Sequence, residues 1–530
     1  MWSLQQIDGV SYETHDDRVV KAYSRNRKNL VNLIRTGLDI NCHKLAIVDC
    51  DQNVSLTYKE LDQKINSLEF YFKTKFNIQA HDRVAIHLEN TWEFAVAFLA
   101  ATNLGAIVVP LNTRNKENEI NYVLQNSEVK LLISHINYEE MIRKAVSISE
   151  LTITLVFVGD NQSSFESLLE NDEPQIFHLE DIDEDSPSCI LYTSGTTGNP
   201  KGAILSHFNI IQTLITYKRI MTVCSNDRTL IVVPLFHATG LLCQFLSVLN
   251  VGGTVYLTRR FRANQCLQIM EENKITFFVG VPTVYIMILS EMDRQYRDLS
   301  SLRVAIYGGS AMSEITIRGL SKISTDIQLF NGYGATETSA PCIISPSKDS
   351  LRKLPSIGIK IPVVECRIMN DQGVEVPIGH SGELWIKGST VIKGYWNNDE
   401  ANRREFTEGY WHSGDIVMKD KEGFFYIMDR KKDMINRGGQ KVFSIEIENL
   451  LYNHPKILEV SVVGKPDKKY GEIVKAVIVL KPGQTATQEE IKQFVETQLS
   501  DYKTPQEIVF VPEMPKNASG KIIKRELVSL

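Results

Sequence analysis

A segment rich in glycine and hydroxyl side chains, residues 191–203 with the sequence LYTSGTTGNPKGA, is well suited to binding phosphate. In such a segment N–H groups and hydroxyls solvate phosphate oxygens, and a lysine offsets their charge. It follows an apolar run typical of a buried strand, which favours phosphate binding over the alternative of a flexible linker. It is not a Walker loop, because Pro200 precedes the lysine where that motif requires glycine. The predicted phosphate-binding residues are Thr193, Ser194, Gly195, Thr196, Thr197, Gly198 and Lys201.

A second segment, residues 331–337 with the sequence NGYGATE, follows a predicted strand. Tyr333 offers an aromatic face for a purine ring, and Thr336 offers a hydroxyl to a phosphate. Glu337 offers a hard oxygen ligand of the kind that Mg²⁺ prefers. By itself the segment also fits a tight turn with a surface carboxylate, so its interpretation depends on the other motifs.

Three charged residues in the last quarter of the chain are suited to the same nucleotide ligand. Asp415 follows a glycine in WHSGD, where a carboxylate can accept hydrogen bonds from ribose hydroxyls. Arg430 follows it in sequence and carries forked donors for ribose or phosphate. Lys521, in PKNASGK, is expected in an exposed loop, where a solvated lysine is the simpler interpretation. Delivered from a second domain, it would stabilise charge that develops at phosphorus in the transition state.

The composition limits the class of protein. At 530 residues the chain is expected to form two or more domains. A net charge of −6 gives no basic surface for nucleic acid and no polybasic membrane anchor. The eight cysteines are scattered without a CxxC pair, which indicates reduced thiols and a cytoplasmic location. The N-terminus lacks a signal-peptide pattern, and the apolar stretch 94–111 is better explained as a buried helix and strand than as a membrane span.

Strand and helix patterns alternate from about residue 80 to 335, in two similar series. This predicts an α/β fold with two βα-layered subdomains, each a parallel sheet covered by helices. Residues 356–430 change to short strands with Gly, Pro and Asp turns, which indicates a small β subdomain. A compact α+β pattern follows the charged run 429–433, although such a run is also typical of a solvated face. The predicted organisation is a large N-terminal domain (1–429), a hinge (430–433) and a small C-terminal domain (434–530).

Taken together, TSGTTGNPKG, YGATE, WHSGD, DRKKD and PKNASGK resemble the adenylate-forming superfamily of acyl-CoA synthetases, adenylation domains of non-ribosomal peptide synthetases and beetle luciferases. The motifs follow the family's order over nearly the whole chain, which is most similar to an acyl-CoA ligase. The resemblance assigns 193–198 and Lys201 to the β- and γ-phosphates, Glu337 to magnesium, and Lys521 to the carboxylate and α-phosphate oxygens. The other contacts that it implies are Thr336 at the α-phosphate, Gly309, Ser310, Asn331, Gly332 and Tyr333 around the adenine, Gly309 and Ser310 also beside the acyl group, and Asp415 and Arg430 at the ribose.

The resemblance also implies that one domain rotation builds two active sites in turn. Lys432 matches the hinge position, and the rotation would withdraw Lys521 and present Gly438–Gly439 to a pantetheine thiol. His237 resembles the aromatic or histidine position beside the acyl carboxylate, with a satisfied histidine at a helix start as the alternative. Ser444 stands where many relatives have proline, and we expect this to loosen the loop after the two glycines.

The predicted enzyme is a carboxylate–CoA ligase that uses ATP, Mg²⁺ and coenzyme A. The acid attacks the α-phosphorus, and the CoA thiol then displaces AMP. A medium- or long-chain fatty acid is the first expectation, because small residues suggest room for a chain, no Asp marks an α-amino group, and no Arg or Lys marks a second carboxylate. The segments expected to line this pocket are His237, Thr239, 281–285, 308–310 and 332–339.

Four other interpretations were weighed against a fatty-acid CoA ligase. An aryl-acid CoA ligase fits the same motifs, as does a stand-alone acyl-AMP ligase that loads a free-standing acyl carrier protein. A luciferase-type oxidoreductase shares them too, but the final residues Val-Ser-Leu are not the peroxisomal Ser-Lys-Leu signal. A non-catalytic nucleotide-binding protein would be expected to have lost Glu337 or Lys521, and both are present.

Overall fold

The structure is a computed structural model of the chain, and it describes residues 2–15, 18–24, 30, 42–159, 165–169, 182–193, 199–310, 312–516 and 522–530. Its N-terminal part holds an antiparallel hairpin and a strand pair that joins a larger sheet. The elements are α1 (Leu4–Ile7), β1 (Val10–His15), β2 (Arg18–Tyr23), β3 (Leu45–Asp49), β4 (Val54–Thr57) and α2 (Tyr58–Thr74). Helix α2 begins with a capping box, in which Thr57 and Glu60 each accept the other's backbone N–H.

The first large sheet has six strands in the order β10-β9-β6-β5-β7-β8. Its strands are β5 (Arg83–His87), β6 (Ile107–Pro110), β7 (Leu131–His135), β8 (Thr154–Val158), β9 (Pro187–Thr193) and β10 (Lys201–Ser206). Neighbours are parallel except for β9 and β10. The helices of this part of the chain are α3 (Trp92–Asn103), α4 (Glu117–Asn126), α5 (Glu139–Ser147) and α6 (His207–Ile220). Burial on both faces explains the continuous apolar runs of the central strands.

The second large sheet has nine strands in the order β17-β16-β15-β14-β13-β11-β12-β3-β4. The added strands are β11 (Arg228–Ile231), β12 (Thr254–Leu257), β13 (Phe277–Gly280), β14 (Val304–Gly308), β15 (Gln328–Ala335), β16 (Ala340–Ile344) and β17 (Ile359–Lys360). The accompanying helices are a π-helix (Thr239–Leu246), α7 (Ser247–Asn250), α8 (Ala263–Glu272), α9 (Pro282–Arg294) and α10 (Glu314–Leu320). The six central strands from β15 to β3 are parallel, so their carboxyl ends meet along one edge of the sheet.

Two smaller sheets complete the described chain. An antiparallel sheet is formed by β18 (Val364–Met369), β19 (Ser381–Gly388), β20 (Phe406–Thr407), β21 (Tyr410–Lys419) and β22 (Phe425–Arg430), with α11 (Asp399–Glu405) preceding β20. The last sheet contains β23 (Ile435–Arg437), β24 (Gln440–Val442), β25 (Ile457–Asp467), β26 (Gly471–Leu480) and β27 (Glu507–Phe510). It packs with α12 (Ser444–Tyr452), α13 (Gln488–Glu496) and α14 (Lys524–Leu527) around an apolar core of its own.

The predicted fold class is confirmed: two βα-layered sheets, a small β subdomain and a small α+β unit follow one another along the chain. The apolar stretch 94–111 forms α3 and β6, and both are buried along their whole length. No helix in the described ranges is long and apolar enough to cross a membrane.

Two local features differ from the sequence-based prediction. The segment 331–337 is predicted to follow a strand, but β15 continues through it to Ala335 because β16 pairs along its free edge. The helix predicted at 240–250 begins instead as a π-helix. Gly240 lies there against the Pro234 carbonyl oxygen, and a Cβ on Gly240 would approach that oxygen to 2.5 Å.

Candidate active site

The predicted phosphate-binding segment joins two antiparallel strands. Thr193 at the end of β9 lies opposite Lys201 at the start of β10, and the Thr193 hydroxyl donates to the Lys201 carbonyl at 3.4 Å. Residues Ser194, Gly195, Thr196, Thr197 and Gly198 lie outside the described residues, so their assignment stays a prediction.

Lys201 belongs to a cluster that also contains the predicted magnesium ligand. Its ammonium lies 2.5 Å from Glu405 Oε2 and 4.4 Å from the centre of the Tyr395 ring. The Tyr395 hydroxyl is 2.8 Å from Glu405 Oε2 and 3.0 Å from Glu337 Oε1, and Trp411 Nε1–H donates to it at 3.2 Å. One phenol thus connects two carboxylates, one of them paired with the lysine.

Burial and charge set the protonation of this cluster. Burial raises the pKa of Glu337, which is only partly offset by hydrogen bonds and by Lys201. Burial acts in the same direction on Glu405, but hydrogen bonds from Lys201, Arg404 and Tyr395 outweigh it, and the pKa of Glu405 is lowered. Burial, followed by the two carboxylates, raises the pKa of Tyr395, so the phenol keeps its proton. Glu405 is therefore the ionised partner of Lys201.

The donor set fits a magnesium ion that also binds phosphate. Glu337 and Glu405 supply hard oxygen atoms close to one hydroxyl. No group of three or more His, Cys, Asp or Glu ligands occurs within the described ranges. An ion held by Glu337 would therefore take most of its ligands from phosphate oxygens and water, which is the usual environment of Mg²⁺ at a nucleotide.

The predicted ribose-binding residues are brought together on adjacent strands. Asp415 on β21 lies directly opposite Arg430 on β22, and Arg430 Nε is 3.1 Å from Asp415 Oδ1. The Tyr333 hydroxyl donates to Asp415 Oδ2 at 2.5 Å. Gly414 has a φ of +69°, a left-handed conformation that suits glycine. The Asp415 carboxylate is the main reason that the pKa of Arg430 is raised, and burial, then Asp415, raises the pKa of Tyr333. The three side chains thus form one fixed acceptor group.

We expect Asp415→Asn to weaken ATP binding about tenfold, because an ionised acceptor of ribose hydroxyls is replaced by a neutral amide. Binding of ATP and of 2′,3′-dideoxy-ATP to both proteins would be measured by calorimetry. The analogue lacks the hydroxyls, so it should bind both proteins equally. An equal loss for both nucleotides would instead mean that the substitution disturbs Tyr333 and Arg430.

The residues predicted around the adenine lie at the carboxyl end of β14 and in the part of β15 that pairs with it, where Gly308 is opposite Gly332. Gly309, with a φ of +82°, and Ser310 follow β14 and are exposed. Asn331 Nδ2 donates to the Ser356 carbonyl at 3.2 Å, and Gly332 is buried beside Pro341. Thr336 begins the short 3₁₀ turn that also carries Glu337. The structure therefore brings these residues to the edge of the sheet where a ligand is expected.

Two predictions about the acyl pocket are wrong. Gly308 does not provide room for an acyl chain, because a Cβ there would meet the Gly332 carbonyl oxygen at 2.2 Å on the neighbouring strand. Tyr285 is fully buried, and its hydroxyl donates toward the carbonyls of Phe278 and Ile306, so it belongs to the core.

His237 stays a predicted neighbour of the acyl carboxylate. It is partly exposed just before the π-helix, and its ring lies 4.6 Å from that of Phe236. Its backbone N–H donates to Pro234, and its carbonyl accepts from Leu241. The backbone is thus fixed at the start of a helix, and π-helices are frequent at functional sites.

Comparison with known proteins identifies the family. A family model described as AMP-binding enzyme matches residues 38–396, and a model of the AMP-binding enzyme C-terminal domain matches residues 446–521. The chain belongs to the AMP-binding enzyme family. It is 32% identical over 474 residues to a feruloyl-CoA synthase of Amycolatopsis sp., covering 89% of this chain and 93% of the relative. It is 31% identical over 502 residues to the long-chain-fatty-acid–CoA ligase FadD13 of Mycobacterium tuberculosis, covering 94% and 98%.

Solved structures of AMP-binding enzymes agree with this result. The anthranilate–CoA ligase AuaEII in complex with anthranoyl-AMP is similar with a TM-score of 0.89 and 26% identity, covering 96% of this chain and 98% of that one. ATP-bound MatB from Rhodopseudomonas palustris is similar with a TM-score of 0.86 and 28% identity, covering 95% and 99%. The prediction of an adenylate-forming ligase of the acyl- or aryl-CoA ligase type that uses ATP and CoA is thereby confirmed.

The residues predicted for the domain rotation lie between and within the last two sheets. Lys432 is exposed in the turn after β22. Gly438 and Gly439 form the tight turn of the β23–β24 hairpin, with φ of +59° and +87°. Lys521 lies outside the described residues. The roles of these residues stay predictions.

The expectation that Ser444 loosens its loop is wrong, because Ser444 is part of a buried contact between the third and fourth sheets. Its N–H and its hydroxyl both donate to the Asp429 carboxylate on β22. Lys524 Nζ donates to Ser444 Oγ at 2.8 Å and lies 2.9 Å from Glu448. Proline has no N–H and no hydroxyl, so it would not make these bonds.

Burial of Asp429 in this contact is expected to make the folded state more stable as the pH falls. Burial raises the pKa of Asp429 to about 6, against the opposing effects of Lys524 and Ser444. Between pH 6 and pH 4 Asp429 therefore holds a proton in the folded state that it releases in the unfolded chain. Acidification from pH 7 to 4 should raise the contribution of this carboxyl to the free energy of unfolding by at most about 3 kcal/mol. The measurement is the thermal midpoint across this pH range for wild type and Asp429→Asn.

In Asp429→Asn the part of the pH dependence of the thermal midpoint that comes from this carboxyl should be lost. Asp371→Asn, which changes an exposed carboxyl, should keep the wild-type pH dependence and serves as the control. An identical pH profile for wild type and Asp429→Asn would show that Asp429 does not titrate in the contact.

Sequence reasoning missed Tyr395, Glu405 and Asp429. Each makes at least one decisive contact to a residue far away in the chain: Tyr395 to Glu337, Glu405 to Lys201, and Asp429, through Ser444, to Lys524. The aromatic run Tyr395-Trp396 after a glycine was the only local signal for Tyr395.

Proposed function

We propose that the chain is an ATP-dependent ligase that converts a fatty acid to its acyl-CoA through an acyl-adenylate. The observation that supports this most strongly is the placement of Lys201 and Glu337 in one cluster beside the Tyr333–Asp415–Arg430 group. A cation, a buried carboxylate and a fixed ribose acceptor are the groups that ATP requires.

In the first step the carboxylate oxygen attacks the α-phosphorus, the bond to the bridging oxygen breaks, and pyrophosphate leaves. Asp415 and Arg430 hold the ribose, and Lys201 neutralises charge on the departing phosphates. Magnesium, held by Glu337, would offset charge on the phosphates. Thr336 contacts the α-phosphate, and Lys521 contacts it together with the substrate carboxylate.

In the second step the CoA thiol attacks the acyl carbonyl and AMP leaves. We propose the boundaries 1–429, 430–433 and 434–530 for the large domain, the hinge at Lys432 and the small domain. Support comes from the change of sheet between β22 and β23 and from the two matched family segments. Rotation at Lys432 would replace Lys521 by the Gly438–Gly439 turn.

The acid is proposed to have an apolar body. The segments 237–240, 281–284 and 309–310 contain no Asp, Glu, Lys or Arg, and the one charged residue of 332–339 is Glu337, which is assigned to magnesium. No other charge in these segments would pair with an amino group or a second carboxylate. A medium- or long-chain fatty acid is the first candidate and an aryl acid the second, in keeping with the long-chain and feruloyl relatives. We also propose a cytoplasmic location, which the eight free cysteines support.

The test is pyrophosphate release with fatty, aryl, amino and dicarboxylic acids, with and without CoA. A rate that requires a fatty acid and rises with CoA is expected. Pyrophosphate release with aryl acids alone would show that the substrate is an aryl acid and not a fatty acid. Release at the same rate with and without CoA would favour a stand-alone acyl-AMP ligase that loads a carrier protein. Absence of release with every acid would contradict the ligase.

A further inference from the structure

A cavity lies at the carboxyl ends of strands from both large sheets, away from the candidate active site. It has a volume of about 330 Å³ and is lined by residues that follow β3, β5, β7 and β12. In the nine-stranded sheet β12 is four strands from β15, which corresponds to about 19 Å at the usual strand spacing. The cavity is therefore a separate feature.

Arginine dominates the charge of this cavity. Arg259, Arg260 and Arg262 line it, against the two carboxylates of Asp51 and Glu89. Asp51 Oδ2 accepts from the Arg259 backbone N–H at 2.7 Å and lies 3.2 Å from the Thr258 hydroxyl. Glu89 lies 3.8 Å from Arg260. Among the described residues neither Arg259 nor Arg262 has a carboxylate partner within 4 Å, and Arg259 Nε is buried without a hydrogen-bond partner.

The start of helix α8 adds to the positive potential. Arg262 is its N-cap and makes no side-chain cap bond, and the first turn contains no acidic residue. A helix N-terminus favours negative charge, so an uncompensated arginine there is unfavourable unless an anion binds. Gln265 on the first turn also lines the cavity. Its amide nitrogen donates to Asp51 Oδ1 at 3.4 Å, and the second N–H of that nitrogen can donate to an anion.

We propose that this cavity binds the phosphate group of a small organic phosphate. A guanidinium group can donate two parallel hydrogen bonds to two oxygens of one phosphate, whereas a chloride ion has no such pair of acceptors. The volume falls in the range of small-molecule sites and exceeds the need of a lone phosphate ion. Leu88 and Tyr138 give it an apolar side for the rest of the ligand. The ligand is either a separate metabolite or the 3′-phosphate end of CoA.

The first experiment uses inorganic phosphate as the probe. Thermal unfolding of the full chain would be followed against phosphate at constant ionic strength, with saturating Mg-ATP to fill the nucleotide site. Wild type should be stabilised, and Arg259→Gln/Arg262→Gln should bind phosphate at least about tenfold more weakly. The single variant Arg262→Gln, which changes an exposed residue, should show part of this loss.

The matched control is Arg294→Gln, an exposed arginine on α9 that pairs with Glu291 at 3.3 Å. It should behave as wild type. Equal phosphate stabilisation of wild type and both cavity variants, or an equal loss in the control, would overturn the proposal.

A second experiment separates the two sources of the phosphate and rests on the proposed CoA ligase activity. KM would be measured for CoA and for dephospho-CoA, which lacks the 3′-phosphate. If the site takes CoA, the double variant should raise KM for CoA about tenfold and leave that for dephospho-CoA unchanged. If the ligand is separate, both KM values should be those of wild type while phosphate binding is still lost. Either result for KM is compatible with the proposed phosphate site, because the site itself is tested by the loss of phosphate binding in the double variant.

Discussion

Lys521→Ala is expected to slow acyl-adenylate formation about a hundred- to a thousandfold, the range found when one preorganised donor to a transition-state oxyanion is removed. The lysine would contact charge that grows as the carboxylate attacks, so kcat should fall while KM for ATP changes little. The measurement is pyrophosphate release under single-turnover conditions with the acid identified by the substrate panel.

The structure describes both flanks of this lysine and supplies a matched control. Lys516 and Ile522 pair as an isolated antiparallel bridge, and Ile523 N–H donates to the Pro515 carbonyl, so the two described flanks are hydrogen-bonded to each other. Lys516 Nζ lies 2.6 Å from Glu459. Lys516→Ala removes a nearby ammonium of the same type, and we expect less than about threefold loss of rate.

A test of the second step distinguishes chemistry from misfolding. With preformed acyl-AMP, Lys521→Ala should transfer the acyl group to CoA at close to the wild-type rate, because the lysine would be withdrawn by the domain rotation. Equal losses in both steps would contradict a role confined to adenylation.

The fold was largely predictable because the period of the apolar residues changes along the chain. The sequence predicts a helix over 117–126, because its apolar residues follow helical spacing, and α4 has these bounds with Ile120, Val123 and Leu124 facing the core. Helix α6 was not predicted. Its polar residues Asn209, Gln212 and Thr213 are buried and bond to distant parts of the chain instead of facing solvent.

Site residues were predictable where both partners of a contact lie in one local motif. They were not predictable where the partners are far apart in the sequence. Asp415 and Arg430 are opposite residues of one hairpin, so their spacing in sequence already places them together. Tyr395 and Glu337 meet only through the packing of separate sheets. A glycine such as Gly308 was interpreted as leaving room for a substrate. The structure shows instead that glycine is needed there because the Gly332 carbonyl of the neighbouring strand occupies the position of a Cβ.

The second large effect is expected at Lys201. Lys201→Ala should lower kcat/KM for ATP about ten- to a hundredfold, because it removes a charge-assisted contact to the phosphates and one of the two cations paired with the Glu405 carboxylate beside them. Unlike Lys521→Ala, this variant should raise KM for ATP, since the charge that it removes is needed in the ground state. The measurement is the dependence of pyrophosphate release on ATP concentration.

Arg404 provides the control, because it pairs with the other oxygen of the same carboxylate, 2.8 Å from Glu405 Oε1. Arg404 is exposed and is not predicted to contact phosphate, so Arg404→Ala should change KM for ATP by less than about threefold. If both variants raised KM equally, the effect would come from the loss of one cation paired with Glu405 and not from contact between Lys201 and phosphate. If neither did, Lys201 would serve only to neutralise Glu405, and the phosphates would depend on the backbone and hydroxyls of residues 193–198.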